Sequence, residues 1–543
     1  MKGDEVLDGL IDKLFHWFLD AEPFFGTFLG LHEYDESVPD ASRDRFLQNV
    51  AKAKEFRREF AAVDPDALSA AKRVDRNLML HTFDLELFEE EELRFWESIP
   101  QGASSMGGGL FPLFTRDFAP LPQRLGSIAA RLEKFPTMLE EHKTRTTRPV
   151  KLWCEIGFES AQRFPGFLMI IGQTGAEALE DEPKERLQEA IAKTLAATNG
   201  YASWIEDHVL PKAEDRFGIG EAAFRTLLER RALPLTLEQI YDLGWRYLRE
   251  SKEELARIAH RIKPGATVDE VRALVKGNHP KEFAEALAYT RKAMLEARDF
   301  VVRKGLATVP ENEELKVIET PTYVRHVIPF AAYASPGKFE KIQQGVYMVT
   351  PVEDKPEMLK EHNYAGTRNT AVHEAYPGHH LQLTCANRHP SLARALAHAV
   401  ETVEGWAHYC EDMMREQGFS EDPETHFVQV LDQAWRACRI IIDVDLHRHK
   451  MTFDEAVDFL VKEAGMERPG ALAEVKRYTY NPAYQLSYLI GKHLIKQLRG
   501  EVKRTLGPGY TDRWFHDAIL YAGSLPFSYL REEIAHKIAG PAA

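Results

Sequence analysis

Cysteine is scarce in this chain. Cys154, Cys385, Cys410 and Cys438 are the only four in 543 residues, and no two form a Cys-x-x-Cys pair. A thiolate zinc site is therefore not expected. The four read as buried thiols in a reducing compartment. Long hydrophobic runs are missing as well. No stretch approaches 18 apolar residues, and Phe167–Ile171 is a short core segment, so no membrane span is expected. No Lys/Arg-rich block occurs and the formal net charge is −15. The chain thus lacks the basic face that a phosphate-backbone partner requires, which argues against nucleic acid. The triple glycine within Gln101–Gly109 is not followed by Gly-Lys-Ser/Thr, which excludes a phosphate-cradling loop. Internal repeats and low-complexity segments are absent.

What is present reads as helix. Hydrophobic content of 44% and charged content of 28% are ordinary for a soluble globular protein. Apolar residues recur at helical spacing over Glu5–Leu19, Ala61–Phe95 and much of 120–260. Thr236–Gln239, Thr267–Glu270 and Thr452–Glu455 have capping-box form. Gln101–Gly109 reads as a loop and hinge. The acidic amphipathic start lacks a basic n-region and an unbroken apolar stretch, so no leader is expected there and the location is expected to be cytoplasmic. Strong β signals occur in two places, Leu315–Ile328 and Gln344–Pro351.

Directly after them comes Thr370-Ala-Val-His-Glu-Ala-Tyr-Pro-Gly-His-His-Leu-Gln382. A catalytic zinc needs three protein ligands and one open position. The common helical solution places two histidines four apart, with a Glu beside the first. Here the fourth position after His373 is Pro377, and the next histidines are His379 and His380. On a regular helix the +6 residue lies about 120° away from His373, and the +7 residue about 10.5 Å along the axis. Neither reaches a shared ion without a break. Pro377 removes a backbone donor, and Gly378 permits conformations other residues avoid. The helix is therefore expected to kink or bulge and return one of the two histidines to the metal. The residues alone leave His379 and His380 both open. Further on, Glu401, Glu404, His408 and Glu411 share one helical face, which can supply the carboxylate of a His2Glu site and acceptors behind it. Asp443, Asp445 and His447 look like a second cluster. Their +2 spacing points them apart on a helix, so they read as ion-pair partners.

His373–Gln382, Glu404–Glu411 and Arg477–Lys492 resemble the motifs of a bacterial family labelled domain of unknown function 885, and Pro23–Tyr34 resembles its opening segment. The likeness runs through most of the chain. That family is thought to be related to the gluzincin metallopeptidases, which include thermolysin, angiotensin-converting enzyme and thimet oligopeptidase. The resemblance implies that the histidine after Pro-Gly, His379, is the second ligand and that Glu404 is the third. His408 departs from the apolar residue expected there. The resemblance also implies that Val346–Thr350, with Val346 and Tyr347, is the edge strand that binds an extended peptide beside the metal.

The expected fold is mainly α, with two helical lobes around a deep cleft and a small β-sheet beside the metal site, gluzincin-like. Residues 1–315 would form the helical N-terminal lobe. Residues 316–543 would form the catalytic lobe, with the sheet at 316–351 and the zinc-site helices at 365–500. The expected function is zinc-dependent hydrolysis of short peptides, with His373, His379 and Glu404 on Zn²⁺ and Glu374 as general base. Manganese or cobalt would suit the same ligands. Tyr488 is the expected oxyanion donor, with Tyr484 and Tyr478 as rivals. Arg477 is expected either to meet a substrate carboxylate or to form a structural ion pair. Hydrolysis of a non-peptide amide or ester, and metal binding without catalysis, remain the other readings of the same residues.

Overall fold

All three capping boxes read from the sequence form. Thr236, Thr267 and Thr452 each accept the backbone N–H three residues on, and Gln239, Glu270 and Glu455 each return a bond to the cap. Asp422 caps the next long helix, Pro423–His447, with Pro423 in its first turn. Such local signals account for a chain that is 73% helix, with one small sheet. The computed structural model describes residues 2–320, 331–352 and 356–540.

Contacts divide these residues into two compact units. The first runs to Phe217 and takes in Pro336–Lys341; the second comprises Gly218–Thr320, residues 331–335 and the chain from Ile342 onward. By contacts, helices such as Leu237–Ile262 and Phe283–Lys304 group with the second unit. The sequence division at 315 had set them with the first.

In the first unit the triple glycine is not a hinge. Helix Gly102–Thr115 runs through it. A Cβ on Gly109 would stand 2.7 Å from the Phe24 ring, so the glycine admits an aromatic against the helix. Packing outweighs the poor helix propensity of glycine here. Phe24 also covers Arg131, which is fully buried and donates to the Gly109, Tyr34 and Ser37 carbonyls and to Thr27. The Pro23–Tyr34 segment therefore wraps a buried guanidinium, whose pKa burial lowers to about 10.

In the second unit helix Pro423–His447 is buried almost all round, with Ile440, Ile441, Ile442, Val444 and Leu446 in the core. The sheet has the order β1 (Glu313–Glu319), β3 (Gln343–Val349), β2 (Ala331–Ala334). β1 runs parallel to β3, and β2 runs antiparallel to it. The expected strand at 315–328 is seen to Glu319; its part at 321–328 lies outside the described residues.

The sheet overturns one expectation. Val346–Val349 is central, paired with Lys316–Glu319 on one side and Ala331–Ala334 on the other. Its backbone donors and acceptors are already used, so Val346 and Tyr347 cannot receive a peptide as an edge strand.

Asp443 and Asp445 do point apart. Asp445 accepts from Tyr241, while Asp443 is fully buried, accepts from the Ala483 N–H and lies 3.5 Å from His447 Nε2. Burial raises the Asp443 pKa to about 8, against 3.8 when solvated. The folded chain thus keeps a proton that the unfolded chain loses. Stability tied to this group is full below pH 3.8 and declines as pH rises towards about 8. Asp443→Asn keeps the acceptor and never ionises. The wild type should lose stability relative to this variant, by up to about 1.4 kcal/mol per pH unit across that window. Denaturation midpoints of both proteins at pH 5 and 8.5 check this; a constant gap refutes it.

Candidate metal centre

Asn363 caps a short helix, Tyr364–Thr370, which widens into a π-turn over Ala371–Ala375. Tyr376 is extended, the Tyr376–Pro377 bond is cis, and helix His379–Asn387 begins after Gly378. The chain folds back on itself at this point. The Gly378 N–H donates to the Val372 carbonyl at 3.0 Å. A Cβ on residue 378 would sit 1.8 Å from the His373 carbonyl oxygen, so only glycine fits. Trp406 Nε1 donates to the Pro377 carbonyl at 2.7 Å and pins the break. The expected kink is realised as this π-turn and return.

The return brings the +6 histidine beside His373. Their ring centroids are 4.9 Å apart and nearly perpendicular. Ligand atoms of His373, Glu374 and His379 all lie within 4.8 Å of one another. Glu404 enters from helix Val400–Glu416, its Oε2 3.8 Å from His373 Nε2 and 3.3 Å from His379 Nε2. Ligands about 2.1 Å from a tetrahedral ion stand roughly 3.4 Å apart, so Glu404 is suitably spaced from both imidazoles to share an ion with them, and Glu374 stands beside them.

Glycine also sets the position of Glu404. Gly405 meets Gly491 of helix Ser487–Leu506 so closely that a Cβ on Gly405 would stand 2.4 Å from the Gly491 Cα. This crossing brings the Glu404 turn next to the tyrosines of the last motif. Tyr484 donates to Glu404 Oε1 at 2.9 Å. Behind His373, Nδ1 donates to Glu411 Oε1 at 2.7 Å. A carboxylate only accepts, so Nδ1 carries a proton, which leaves Nε2 as the ring atom that faces the cluster. Asn369 donates to the other Glu411 oxygen at 3.2 Å, and His408, fully buried, lies 3.3 Å from Oε1. Among the described residues neither ring nitrogen of His408 has a hydrogen-bond partner. His379 Nδ1 is buried without a hydrogen-bond partner.

His380 is turned away. Its Nε2 lies 2.8 Å from Glu313 and its Nδ1 2.9 Å from the Tyr333 hydroxyl. Burial opposes charge on Glu313, but hydrogen bonds from His380, Tyr376 and Arg298 hold its pKa at about 2. Glu401 pairs with Arg231 at 2.7 Å. Both residues are structural.

Glu374, Glu404 and Glu411 crowd two imidazoles in one cavity of about 440 Å³. Burial pushes the His373 pKa down, yet Glu404 and Glu411 outweigh it and hold it at about 10. Burial opposes charge on Glu404, but the His373 and His379 imidazoles beside it hold its pKa well below the carboxylate range. This surplus of carboxylate is what a divalent cation would neutralise, so the donor set fits one.

Tyr488 lines the same cavity, whereas Tyr478 is buried elsewhere between Glu474 and Arg439. Arg477 donates to Glu474 at 2.8 Å and is not among the lining residues, so the structural ion pair is the reading that fits. Tyr347 is 5% exposed and also outside the lining; burial, then the charge of Glu374, pushes its phenol up. The sequence reading missed Asn369, Asp432, Trp435 and Arg436 as lining residues. Asn369 lies on helix Tyr364–Thr370, and the +3 and +4 spacing of Trp435 and Arg436 from Asp432 along helix Pro423–His447 carries no motif of its own. His398 lines the cavity as well, and burial lowers its pKa.

The two histidines separate cleanly in an experiment. His379→Ala should abolish zinc loading measured by elemental analysis. His380→Ala should keep one zinc per chain but cost about 3–5 kcal/mol in denaturation, because Glu313 loses a buried partner. Full zinc in the His379 variant would refute the assignment.

Two solved structures share the fold. A "putative lipoprotein of unknown function" from Shewanella oneidensis has a TM-score of 0.79 and 24% identity, over 98% of this chain and 99% of that one. A "putative lipoprotein" from Colwellia psychrerythraea has a TM-score of 0.85 and 19% identity, over 99% of each chain. No curated protein matches. These descriptions overturn the cytoplasmic placement, since lipoproteins are membrane-anchored. Among the described residues no helix is long and apolar enough to cross a membrane. The family described as bacterial protein of unknown function (DUF885) matches residues 23–534, a span that takes in every motif of the site, and the chain belongs to that family.

Proposed function

We propose that this chain is a gluzincin-like zinc peptidase acting on short peptides. The observation that carries the reading is the convergence of His373, His379 and Glu404 on one point, with Glu374 beside them in an open cavity. His373 Nε2, His379 Nε2 and Glu404 Oε2 would hold the ion. When bound there, zinc supplies Lewis-acid chemistry at neutral pH.

The side chains divide the remaining work. Glu374, half-buried at the cavity wall, takes a proton from the attacking water and passes it to the leaving amine. Tyr488 donates its hydroxyl to the oxyanion as the carbonyl becomes tetrahedral. Tyr484 holds Glu404, and Glu411 holds the His373 ring, so both ligands are oriented before substrate arrives. The peptide backbone pairs with β2 rather than β3. Among the described residues β2 is an outer strand of the sheet, and Tyr333 and the adjoining Ser335 line the cavity.

Glu374→Gln should retain zinc and lose cleavage of a mixed peptide pool, followed by mass spectrometry. Wild-type protein that carries zinc and cleaves no peptide refutes the proposal. Tyr488→Phe should lower kcat by about 10²- to 10³-fold with little change in KM, the signature of a bond made in the transition state. An unchanged kcat removes Tyr488 from the mechanism.

A further inference from the structure

One wall of the cavity is basic in a way the hydrolytic chemistry does not use. Helix Pro423–His447 presents Trp435, Arg436 and Arg439 there. Arg439 is satisfied: its Nε donates to the Tyr478 hydroxyl and its Nη2 to Glu474, both at 3.0 Å. Arg436 is not. It is 8% exposed, its Nη1 donates to the Asp432 carbonyl at 3.2 Å, and its Nε has no hydrogen-bond partner. The nearest carboxylate oxygens are too far to accept, Asp432 Oδ1 at 3.7 Å from Nη1 and Glu411 Oε1 at 4.0 Å from Nη2. The neighbouring Trp435 Nε1 is likewise buried without a partner.

Buried donors left unpaired are costly, and a charged one more so. Nε and Nη2 of a guanidinium form a side-on fork that matches the two oxygens of a carboxylate. The local carboxylates are already engaged: Asn369 donates to both Asp432 and Glu411, and His373 to Glu411. An acceptor from outside the chain would complete the wall.

We propose that Arg436, with the Trp435 indole N–H beside it, receives a carboxylate of the peptide substrate. This rests on the peptidase reading above. Arg436 stands next to Glu411, which holds the His373 ring, so one carboxylate and one imidazole separate the fork from the proposed reaction centre. Each extended residue spans about 3.3–3.6 Å, so a carboxylate bound there belongs to a residue within a few positions of the bond that is cut. The carboxylate is either the C-terminus, making the protein a carboxypeptidase that releases a short C-terminal fragment, or an acidic side chain close to the cut.

The test compares N-acetylated tetrapeptide pools with free-acid or amidated C-termini, each made with and without glutamate. Zinc-loaded wild type should cleave the free-acid pool at least about tenfold faster than its amide if the C-terminus is the ligand. It should favour glutamate-containing amides by a similar factor if the side chain is. Arg436→Gln should remove the preference by slowing the favoured pool alone, and Arg436→Lys should restore part of it. Because the ratio is read within each variant, a partly destabilised protein still reports. Binding gives a second readout: equilibrium dialysis against zinc-loaded Glu374→Gln should retain the favoured pool, and adding Arg436→Gln should release it. Equal cleavage of all pools by wild type, or a uniform slowing by Arg436→Gln, overturns the proposal and leaves the peptidase reading standing. Cleavage of no pool overturns both.

Discussion

The site depends on one close return of the backbone. Gly378 lies against the His373 carbonyl with no room for a side chain, and Trp406 grips the carbonyl of Pro377. Everything else in the site follows from that contact. A regular helix would carry His379 round to another face. The widened turn, followed by the reversal, sets two imidazoles side by side while Glu374 stays on the same wall. Trp406 also belongs to the helix that carries Glu404. The residue that fixes the break thus fixes the distance to the third donor.

A second close contact works in the same way. Gly405 and Gly491 let two helices touch backbone to backbone, and the helices bring Glu404 and Tyr484 together. Small residues at a crossing bring polar groups on the flanking turns within hydrogen-bond reach. The three motifs are therefore one mechanical unit: a reversed turn, a helix that pins it, and a helix packed against the pin.

Charge gives the cavity two sides. Glu374, Glu404 and Glu411 surround the imidazoles, and Trp435, Arg436 and Arg439 line the opposite character. Buried guanidinium groups elsewhere show what satisfaction looks like: Arg131, in the other unit, donates to three carbonyls and a hydroxyl. Arg436 keeps an unpaired Nε in the lined cavity, the donor that the proposed carboxylate would take.

Much of this was legible in the chain. Capping boxes at Thr236, Thr267 and Thr452 form because they need only neighbours three residues away. The break at Pro377–Gly378 was foreseeable because proline and glycine act on their own backbone. The carboxylate face of Glu404 and Glu411 followed from helical period. Other features were settled by residues far away in sequence. Glu313 and Tyr333 take both nitrogens of His380. Phe24 keeps the Gly102–Gly109 stretch helical. β1 and β2 close both sides of β3, which no pattern within Gln343–Val349 announces. The sequence by itself determined where the helices with capping boxes start and where the metal-site helix must break, since those are short-range properties of the backbone. Which histidine faces the cavity, which strand is left as an edge and which arginine lacks a partner were decided only by the tertiary structure, because each depends on the groups that distant segments bring within hydrogen-bond reach.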